Sequence, residues 1–200
     1  SPQQILSLME QIRKEKLRHI FYEDLTAPKL ALAAQGAAQG AAPGSAETQA
    51  VVAVEAVNFD QLPFADAIRT VRGNGQRRIA VFSDPSCSFC RRLEPELASL
   101  GDVTVYTFLV PFLGQARPVS IWCAADREQA WQRFMLHADT SLLNPAGSCD
   151  HPLERNLALA QRLGVQGTPT LLWADGSRID GYVDRSVLEA RLAQVARAKP

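Results

Sequence analysis

The sequence predicts an α/β fold in which helices cover a mixed β-sheet with an antiparallel edge. Three observations support this fold class. Short apolar runs alternate with helical patterns over residues 51–109, the composition is helical over about residues 116–163, and two strands joined by a turn precede a final helix. The 51–200 segment is therefore expected to be one domain with a helical insertion at about 116–163.

Residues 1–50 differ in composition from this domain. Ile5, Leu8, Met9 and Ile12 recur at helical spacing and predict an amphipathic helix over 3–25. Residues 31–50 are rich in Ala and Gly and predict a linker. The apolar face of the helix could dock on its own domain or on another subunit, so a homo-oligomer assembled through this helix is one of two open expectations.

The elements from residue 51 to residue 109 follow from local pattern and turn signals. An apolar run from Val51 to Val57 predicts a first strand. Asp60 is a candidate cap for a helix through about Val71, which would end at a Gly-Asn-Gly turn. A buried strand is then expected at 79–82, a helix from Cys87 to about Leu100, and a strand at 103–109.

The C-terminal part of the domain is predicted to form a strand, a turn, a second strand and a helix. The first strand covers 170–173, and the turn is Ala174-Asp175-Gly176-Ser177. The second strand covers 178–183, and the last helix runs from about 185 to 198. The Asp-Gly turn indicates a hairpin at the edge of the sheet.

Charge and hydropathy limit the classes of function. Twenty-one Lys and Arg residues balance 21 Asp and Glu residues, so no overall field favours nucleic acid as a partner. No run of about 18 apolar residues predicts a membrane-spanning helix. The chain begins at Ser1 without a secretory pattern, which is expected of a cytosolic protein or of a mature form whose signal peptide has been removed.

The four cysteines form a tight pair, Cys87 and Cys90, and a wide pair, Cys123 and Cys149. Four sulfurs allow three pairings, which the sequence spacing alone does not distinguish. Buried structural thiols in a cytosolic protein are the simpler interpretation. An even count with one wide pair favours an oxidising compartment.

The motif Cys87-Ser88-Phe89-Cys90 lies at a predicted strand-to-helix junction. A sulfur at the start of a helix lies near free backbone N–H groups and the positive end of the helix dipole, which favour the thiolate. Cys87 is thus the candidate nucleophile, and Cys90, one turn later, is the candidate resolving cysteine. A half zinc site is the alternative, but the other cysteines and His137 and His151 show no matching ligand spacing, so we expect no metal.

The neighbours of the two cysteines also carry expectations. Ser88 and Phe89 supply no cation to stabilise the thiolate, which predicts a mild oxidant. Phe89 offers an apolar contact for unfolded chains. Asp84, three residues before Cys87, is interpreted either as a proton-transfer group or as an aspartate of a surface turn.

Two prolines make the chain resemble the thioredoxins. Pro95 lies inside the predicted helix, where thioredoxins also carry a proline despite its cost to helix hydrogen bonding. Gly167-Thr168-Pro169-Thr170 precedes the late strand, where thioredoxin-like proteins have a cis-proline loop facing the cysteine pair. The resemblance implies a thioredoxin-like fold with a cis bond before Pro169.

Within this fold, residues 57–198 most closely resemble the bacterial periplasmic disulfide isomerases of the DsbC and DsbG type. The stretches that carry the resemblance are Val81 to Cys90, Ile121 to Asp126, Ser148 to Asp150, Leu163 to Thr170, Asp175-Gly176 and Gly181-Tyr182. The resemblance implies that Cys87 attacks, that Cys90 resolves, and that Ser88, Phe89, Thr168 and Pro169 contact substrate. It also implies a structural disulfide between Cys123 and Cys149.

The same resemblance implies a function and partners. The chain is expected to be a thiol-disulfide oxidoreductase of the periplasm, a disulfide isomerase or reductase that acts on unfolded or misoxidised proteins. It would need no cofactor beyond its own redox-active cysteines, and a membrane electron carrier of the DsbD type would keep it reduced. A DsbA-like dithiol oxidase and a non-catalytic chaperone or copper-handling module are the alternatives.

Overall fold

The computed structural model of the protein describes residues 57–145, 147 and 149–198. Two short 3-10 helices, Phe59–Gln61 and Phe64–Asp66, precede the regular elements. The strands are β1 (Ile68–Arg72), β2 (Arg77–Ser83), β3 (Val103–Leu109), β4 (Thr170–Trp173) and β5 (Arg178–Asp180). The helices are α1 (Ser88–Ala98), α2 (Ala116–Trp122), α3 (Arg127–His137), α4 (Leu153–Arg162) and α5 (Arg185–Ala198).

The five strands form one mixed sheet in the order β1-β3-β2-β4-β5. Strands β2 and β3 are parallel, with Ile79 opposite Val105. The other three pairings are antiparallel, including the β4–β5 hairpin. The predicted mixed sheet with an antiparallel edge is confirmed.

Alternation along the central strands gives the sheet two buried faces. Ala80 and Phe82 of β2 point into a core on one face, which α4 covers through Leu159 and Leu163. Ile79 and Val81 point to the opposite face, which helices α1 and α5 cover. The result is a three-layer α/β sandwich in which β2 is buried on both sides.

The helical insertion covers the cysteine end of the sheet. Helices α2 and α3 lie between β3 and α4 in sequence, and their Trp122, Trp131 and Phe134 form a third apolar cluster that includes Cys87 and Cys90. Within the predicted insertion at about 116–163, helices α2 and α3 pack over the start of α1, and we call these two helices the roof. None of the helices within the described ranges is long and apolar enough to cross a membrane.

One predicted element is wrong, because residues 60–71 do not form a helix. Only short 3-10 turns occur before Ala67, and residues 68–72 are strand β1. The apolar residues do recur at helical spacing, but Ile68 and Thr70 are buried while Arg69 and Val71 are exposed, which is the alternation of a strand. Antiparallel pairing of Ile68 with Thr107 of β3 therefore overrides the local helical pattern.

Two further predictions concern the end of strand β5 and the N-terminal part of the chain. Strand β5 stops at Asp180 rather than 183, where Gly181 adopts a φ of 91° and turns the chain. The predicted N-terminal helix, the linker and residues 51–56 of the strand predicted from Val51 to Val57 lie outside the described residues, and with them the assembly role expected of the helix. Val57 is described and is not part of a strand.

Candidate active site

Cys87 occupies the N-cap position of α1. Strand β2 ends at Ser83, the segment Asp84-Pro85-Ser86 turns the chain, and Cys87 keeps an extended backbone (φ −78°, ψ 126°) before the helix begins at Ser88. The Cys87 N–H donates to the Asp84 carbonyl at 3.0 Å, and its own carbonyl accepts from Arg91 at 3.1 Å. The sulfur therefore lies where the first N–H groups of the helix have no partner within the helix.

Asp84 shapes this turn from inside the protein. Its side chain is fully buried, and its two carboxylate oxygens accept from the N–H groups of Ser86 at 2.8 Å and Leu113 at 2.7 Å. The interpretation of Asp84 as a surface-turn aspartate is wrong. The carboxylate instead joins the turn before Cys87 to the loop after β3, since backbone donors from both segments satisfy it.

The Cys87 thiol is poised to ionise. Its residue is only 8% exposed, and that burial alone would raise its pKa. Hydrogen bonds from the Thr168 side chain, from Cys90 and from the Phe89 amide outweigh the burial and hold the pKa of Cys87 below that of an ordinary thiol. The amides at the helix start are thus a direct cause of the lowered pKa.

The second sulfur of the motif behaves in the opposite way. Cys90 is 1% exposed, and burial raises the pKa of its thiol to about 11 despite hydrogen bonds with Ser83 and Thr168. Both cysteines are free thiols in the structure. Cys87 is therefore the more acidic of the two thiols, and Cys90 is the one that keeps its proton to higher pH.

The proline loop faces Cys87 from the far end of the sequence. The Thr168–Pro169 peptide bond is cis, and the Cys87 Sγ donates to the Thr168 carbonyl at 3.3 Å. The Pro169 carbonyl accepts from Gly181 at 2.8 Å, which ties the loop to the strand end beyond it. The fold thereby brings together two sequence motifs that are 81 residues apart.

The two residues between the cysteines face outward. Ser88 is exposed, and the ring of Phe89 is 51% exposed although it adjoins a buried thiol. An exposed aromatic ring beside a nucleophile is available for contact with an apolar chain segment. Of the predicted site residues, Cys87, Cys90, Phe89, Ser88, Thr168 and Pro169 thus form one site.

The wide cysteine pair forms a separate feature. Cys123 and Cys149 are joined by a disulfide with a Cα–Cα distance of 5.7 Å. Cys123 ends α2, so the bond attaches that helix to the chain segment before α4. Trp122 Nε1 also donates to the Asp150 carbonyl at 3.2 Å, which adds a second tie at the same place.

One buried ionisable group near the site was missed by sequence reasoning. Glu94 lies on α1, one helical turn after Cys90, and is 6% exposed. Burial raises the pKa of Glu94 to about 7, although a hydrogen bond from Trp131 Nε1 at 3.0 Å and the charge of Arg72 lower it. Its position four residues after Cys90 on the apolar side of the helix was the available signal.

Metal ligation has no obvious place in this geometry. No cluster of three or more His, Cys, Asp or Glu side chains suited to a metal occurs in residues 57–145, 147 and 149–198. The two thiols face a proline loop and an apolar roof rather than further ligands. The prediction that no cofactor is needed remains a prediction.

A family model described as a thioredoxin-like domain matches residues 64–196, well over half of the chain. The chain belongs to the thioredoxin-like domain family. Its thioredoxin-like sheet, active-site helix and proline loop all lie within the matched range. The fold class predicted from sequence is confirmed at the level of the family.

Comparisons with individual thioredoxin-like proteins narrow the resemblance to the DsbC type. The chain is 39% identical over 142 residues to a probable thiol:disulfide interchange protein DsbC of Bordetella parapertussis, covering 70% of this chain and 50% of the relative. It is 33% identical over 112 residues to DsbC of Escherichia coli, covering 52% and 45%. The chain thus spans about half the length of the curated relatives it matches.

A solved structure of a disulfide interchange protein also resembles this chain, and the match covers nearly the whole length of the solved chain. The disulfide interchange protein of Neisseria gonorrhoeae superposes with a TM-score of 0.61 at 37% identity, covering 66% of this chain and 96% of that one. The predicted membership in the DsbC type of thiol-disulfide interchange proteins is confirmed by these relatives.

Proposed function

We propose that this chain is a thiol-disulfide oxidoreductase that acts on protein disulfides, chiefly as an isomerase and reductase. The observation that carries the proposal is that the pKa values of two neighbouring thiols are displaced in opposite directions. Cys87 has a lowered pKa beside Thr168, while burial raises the pKa of Cys90 to about 11. The similarity to DsbC-type relatives supports the same reaction class.

The first step follows from the thiolate at Cys87. Its sulfur attacks one sulfur of a substrate disulfide, a new bond forms between Cys87 and that sulfur, and the other substrate sulfur leaves as a thiolate. Thr168 and Pro169 would align the substrate chain, since the Thr168 carbonyl is 3.3 Å from the Cys87 sulfur. Ser88 and Phe89 would contact the chain from the helix side.

The mixed disulfide can be resolved in two ways, and only one of them reduces the substrate. If a second substrate thiolate attacks the substrate sulfur, Cys87 leaves as a thiolate and the substrate disulfide is isomerised without net redox change. If Cys90 loses its proton and attacks Cys87, the substrate leaves reduced and a Cys87–Cys90 disulfide remains. A pKa of about 11 slows the attack by Cys90 and favours isomerisation.

Reactivation of scrambled ribonuclease and reduction of insulin together test the proposal. We expect the wild type to perform both, Cys87→Ser to lose both, and Cys90→Ser to keep isomerisation in a glutathione buffer while losing insulin reduction. Equal ribonuclease reactivation by wild type and Cys87→Ser would eliminate the enzymatic function and leave a non-catalytic chaperone role.

The redox potential separates isomerase from oxidase. Isomerase and reductase activity requires Cys87 to be reduced, which we assign to a membrane electron carrier of the DsbD type in the periplasm. A potential near that of the strongest dithiol oxidants, about −120 mV, would contradict this and favour the DsbA-like alternative. The absence of a cation at Ser88 and Phe89 predicts a lower value.

Assembly through the N-terminal segment is a separate part of the proposal. The apolar stripe of Ile5, Leu8, Met9 and Ile12 would pair with the same stripe of another subunit and bring several active sites to one substrate. Light scattering of the full chain and of a chain without residues 1–30 tests this. An unchanged number of subunits after deletion would refute an assembly role.

A further inference from the structure

A ladder of stacked side chains runs along α1 beside the proposed active site. The ring of Phe89 lies 5.6 Å from the guanidinium carbon of Arg92, and that carbon lies 4.6 Å from the centroid of Tyr182. The hydroxyl of Tyr182 donates to Glu96 at 2.9 Å, and Glu96 also accepts from the Arg185 N–H at 3.1 Å. We call Phe89, Arg92, Tyr182 and Glu96 the aromatic-cation ladder.

The ladder holds a positive charge in place. Arg92 is exposed, and cation–π contacts with the rings of Phe89 and Tyr182 favour one position of a side chain that would otherwise be free to rotate. Both oxygens of Glu96 already accept hydrogen bonds from Tyr182 and Arg185, and none of the described residues accepts a hydrogen bond from the Arg92 guanidinium. The N–H edge of Arg92 is therefore free to bind an incoming carboxylate.

The ladder also lies where a substrate chain would pass. Tyr182 follows Gly181, whose N–H donates to the Pro169 carbonyl, so the ladder connects the start of α1 with the proline loop. Arg92 is five residues after Cys87, about 7 to 8 Å along the helix axis. An extended chain advances about 3.3 Å per residue, so the side chain two residues from the attacked cysteine reaches Arg92.

From this geometry we infer that Arg92 is a specificity-determining residue that selects protein disulfides with an acidic residue two positions from the attacked cysteine, where the substrate chain runs along α1. The inference rests on the proposed function, because it assumes that Cys87 receives the substrate. Phe89 and Tyr182 act as positioning residues that hold the guanidinium. Asp184 lies near Tyr182, but its carboxylate accepts from Ser186 and Val187 and does not face Arg92 by any described contact.

Two matched ten-residue peptides test the inference. Each has one cysteine, and the residues two positions to either side are both Glu in one peptide and both Gln in the other. Binding is measured with serine in place of the cysteine. Reduction is measured in a single turnover with the disulfide-linked dimer of each peptide, which releases one peptide thiol when Cys87 attacks and the other when Cys90 attacks Cys87. We expect the wild type to bind the Glu peptide about two- to fivefold more tightly at low salt, as for an exposed ion pair.

The variants identify the residue responsible. Arg92→Gln should remove the preference, while Arg92→Lys should keep only part of it because ammonium does not stack as a plane. Arg91→Gln is the matched control, because Arg91 is exposed on the same helix turn and stacks on no ring among the described residues, so this variant should keep the preference.

Three results would overturn the inference. The first is a wild type that binds the Glu and Gln peptides equally well. The second is an Arg92→Gln protein that still prefers the Glu peptide as strongly as the wild type, and the third is an equal loss of this preference in Arg92→Gln and Arg91→Gln. The inference would also be overturned if Arg92→Gln reduced both peptides more slowly by the same factor and changed the pKa of Cys87. Arg92 would then act on the reactivity of Cys87 and not on the choice of substrate. A wild type that prefers the Glu peptide but reduces neither would support the inference and refute the proposed enzymatic function.

Discussion

The two cysteine pairs of this chain show how surroundings decide what a pair of sulfurs does. Cys87 and Cys90 are free thiols at the start of a helix, and their pKa values are displaced in opposite directions. Cys123 and Cys149 are joined by a disulfide within the helical insertion. In the first pair the two thiols differ in pKa, and the second pair links two chain segments covalently.

The difference lies in the backbone around each pair. The helix start gives Cys87 amide donors, and the first turn of α1 places Cys90 in the apolar cluster under the roof formed by α2 and α3. In the wide pair, Cys123 is the residue that directly follows the C-terminal end of α2. A sulfur near the C-terminal end of a helix gains no stabilisation of its thiolate from the dipole.

The largest effect should come from removing the nucleophile. Cys87→Ser should lower the rate of disulfide exchange at least about 1,000-fold, because no other described thiol has a lowered pKa. Urea unfolding should show little change, since serine is nearly isosteric. A variant that retains more than a few per cent of the wild-type insulin reduction would contradict the division between the pairs.

The next effect should come from the wide pair and should appear in stability. Replacing both Cys123 and Cys149 by Ser opens a loop with a sequence separation of 26, which should lower the free energy of unfolding by roughly 3 to 4 kcal/mol on the chain-entropy model. Exchange activity at a temperature where the variant remains folded should be unchanged. Lost activity in a folded variant would show that the wide pair takes part in the chemistry.

Glu94 should make stability depend on pH. Burial raises its pKa from an ordinary 4.5 to about 7, so the folded state binds a proton more tightly than the unfolded state. This contribution to stability is present below pH 4.5 and is lost as the pH rises to about 7, by up to about 3 kcal/mol. Glu94→Gln should flatten this decline between pH 5 and pH 8 in urea titrations.

Exposed Glu154 on α4 offers the control for that measurement. Glu154→Gln should leave the pH profile of the wild type in place, because the side chain is in solvent. Parallel profiles for the wild type and Glu94→Gln would refute the raised pKa.

The smallest effect should come from the loop that faces the nucleophile. Thr168→Val removes a side-chain hydrogen bond that lowers the pKa of Cys87, so the pKa should rise and the alkylation rate at neutral pH should fall. Thr140→Val changes an exposed threonine in the helical insertion and should leave both unchanged. A Thr168→Val protein with the wild-type alkylation rate would show that the Thr168 side chain does not lower the pKa of Cys87.

Much of the fold can be predicted from the sequence, and the exceptions have a common cause. Strands β3 and β4 and helix α5 were predicted at their observed positions because apolar pattern and turn residues agree there. Residues 68–72 carry both a helical and an alternating pattern, and only pairing with β3 selects the strand. Local pattern fails where a long-range partner decides.

The candidate site divides in the same way. The CxxC motif and the Gly-Thr-Pro-Thr loop can be identified in the sequence as a reactive site. The burial of Asp84 depends on the loop after β3, and the raised pKa of Cys90 and the Glu94–Trp131 hydrogen bond depend on the roof. Burial of a polar residue is a tertiary property, so motif analysis could not predict these three features.

The most direct test measures ionisation of both active-site sulfurs in the reduced protein. Iodoacetamide alkylation against pH, followed by mass spectrometry of the modified residue, gives each thiol its own titration curve. The account predicts that Cys87 reacts at a lower pH than free cysteine and that Cys90 reacts only near pH 11. Overlapping curves at the pH of free cysteine, or a reversed order, would contradict it.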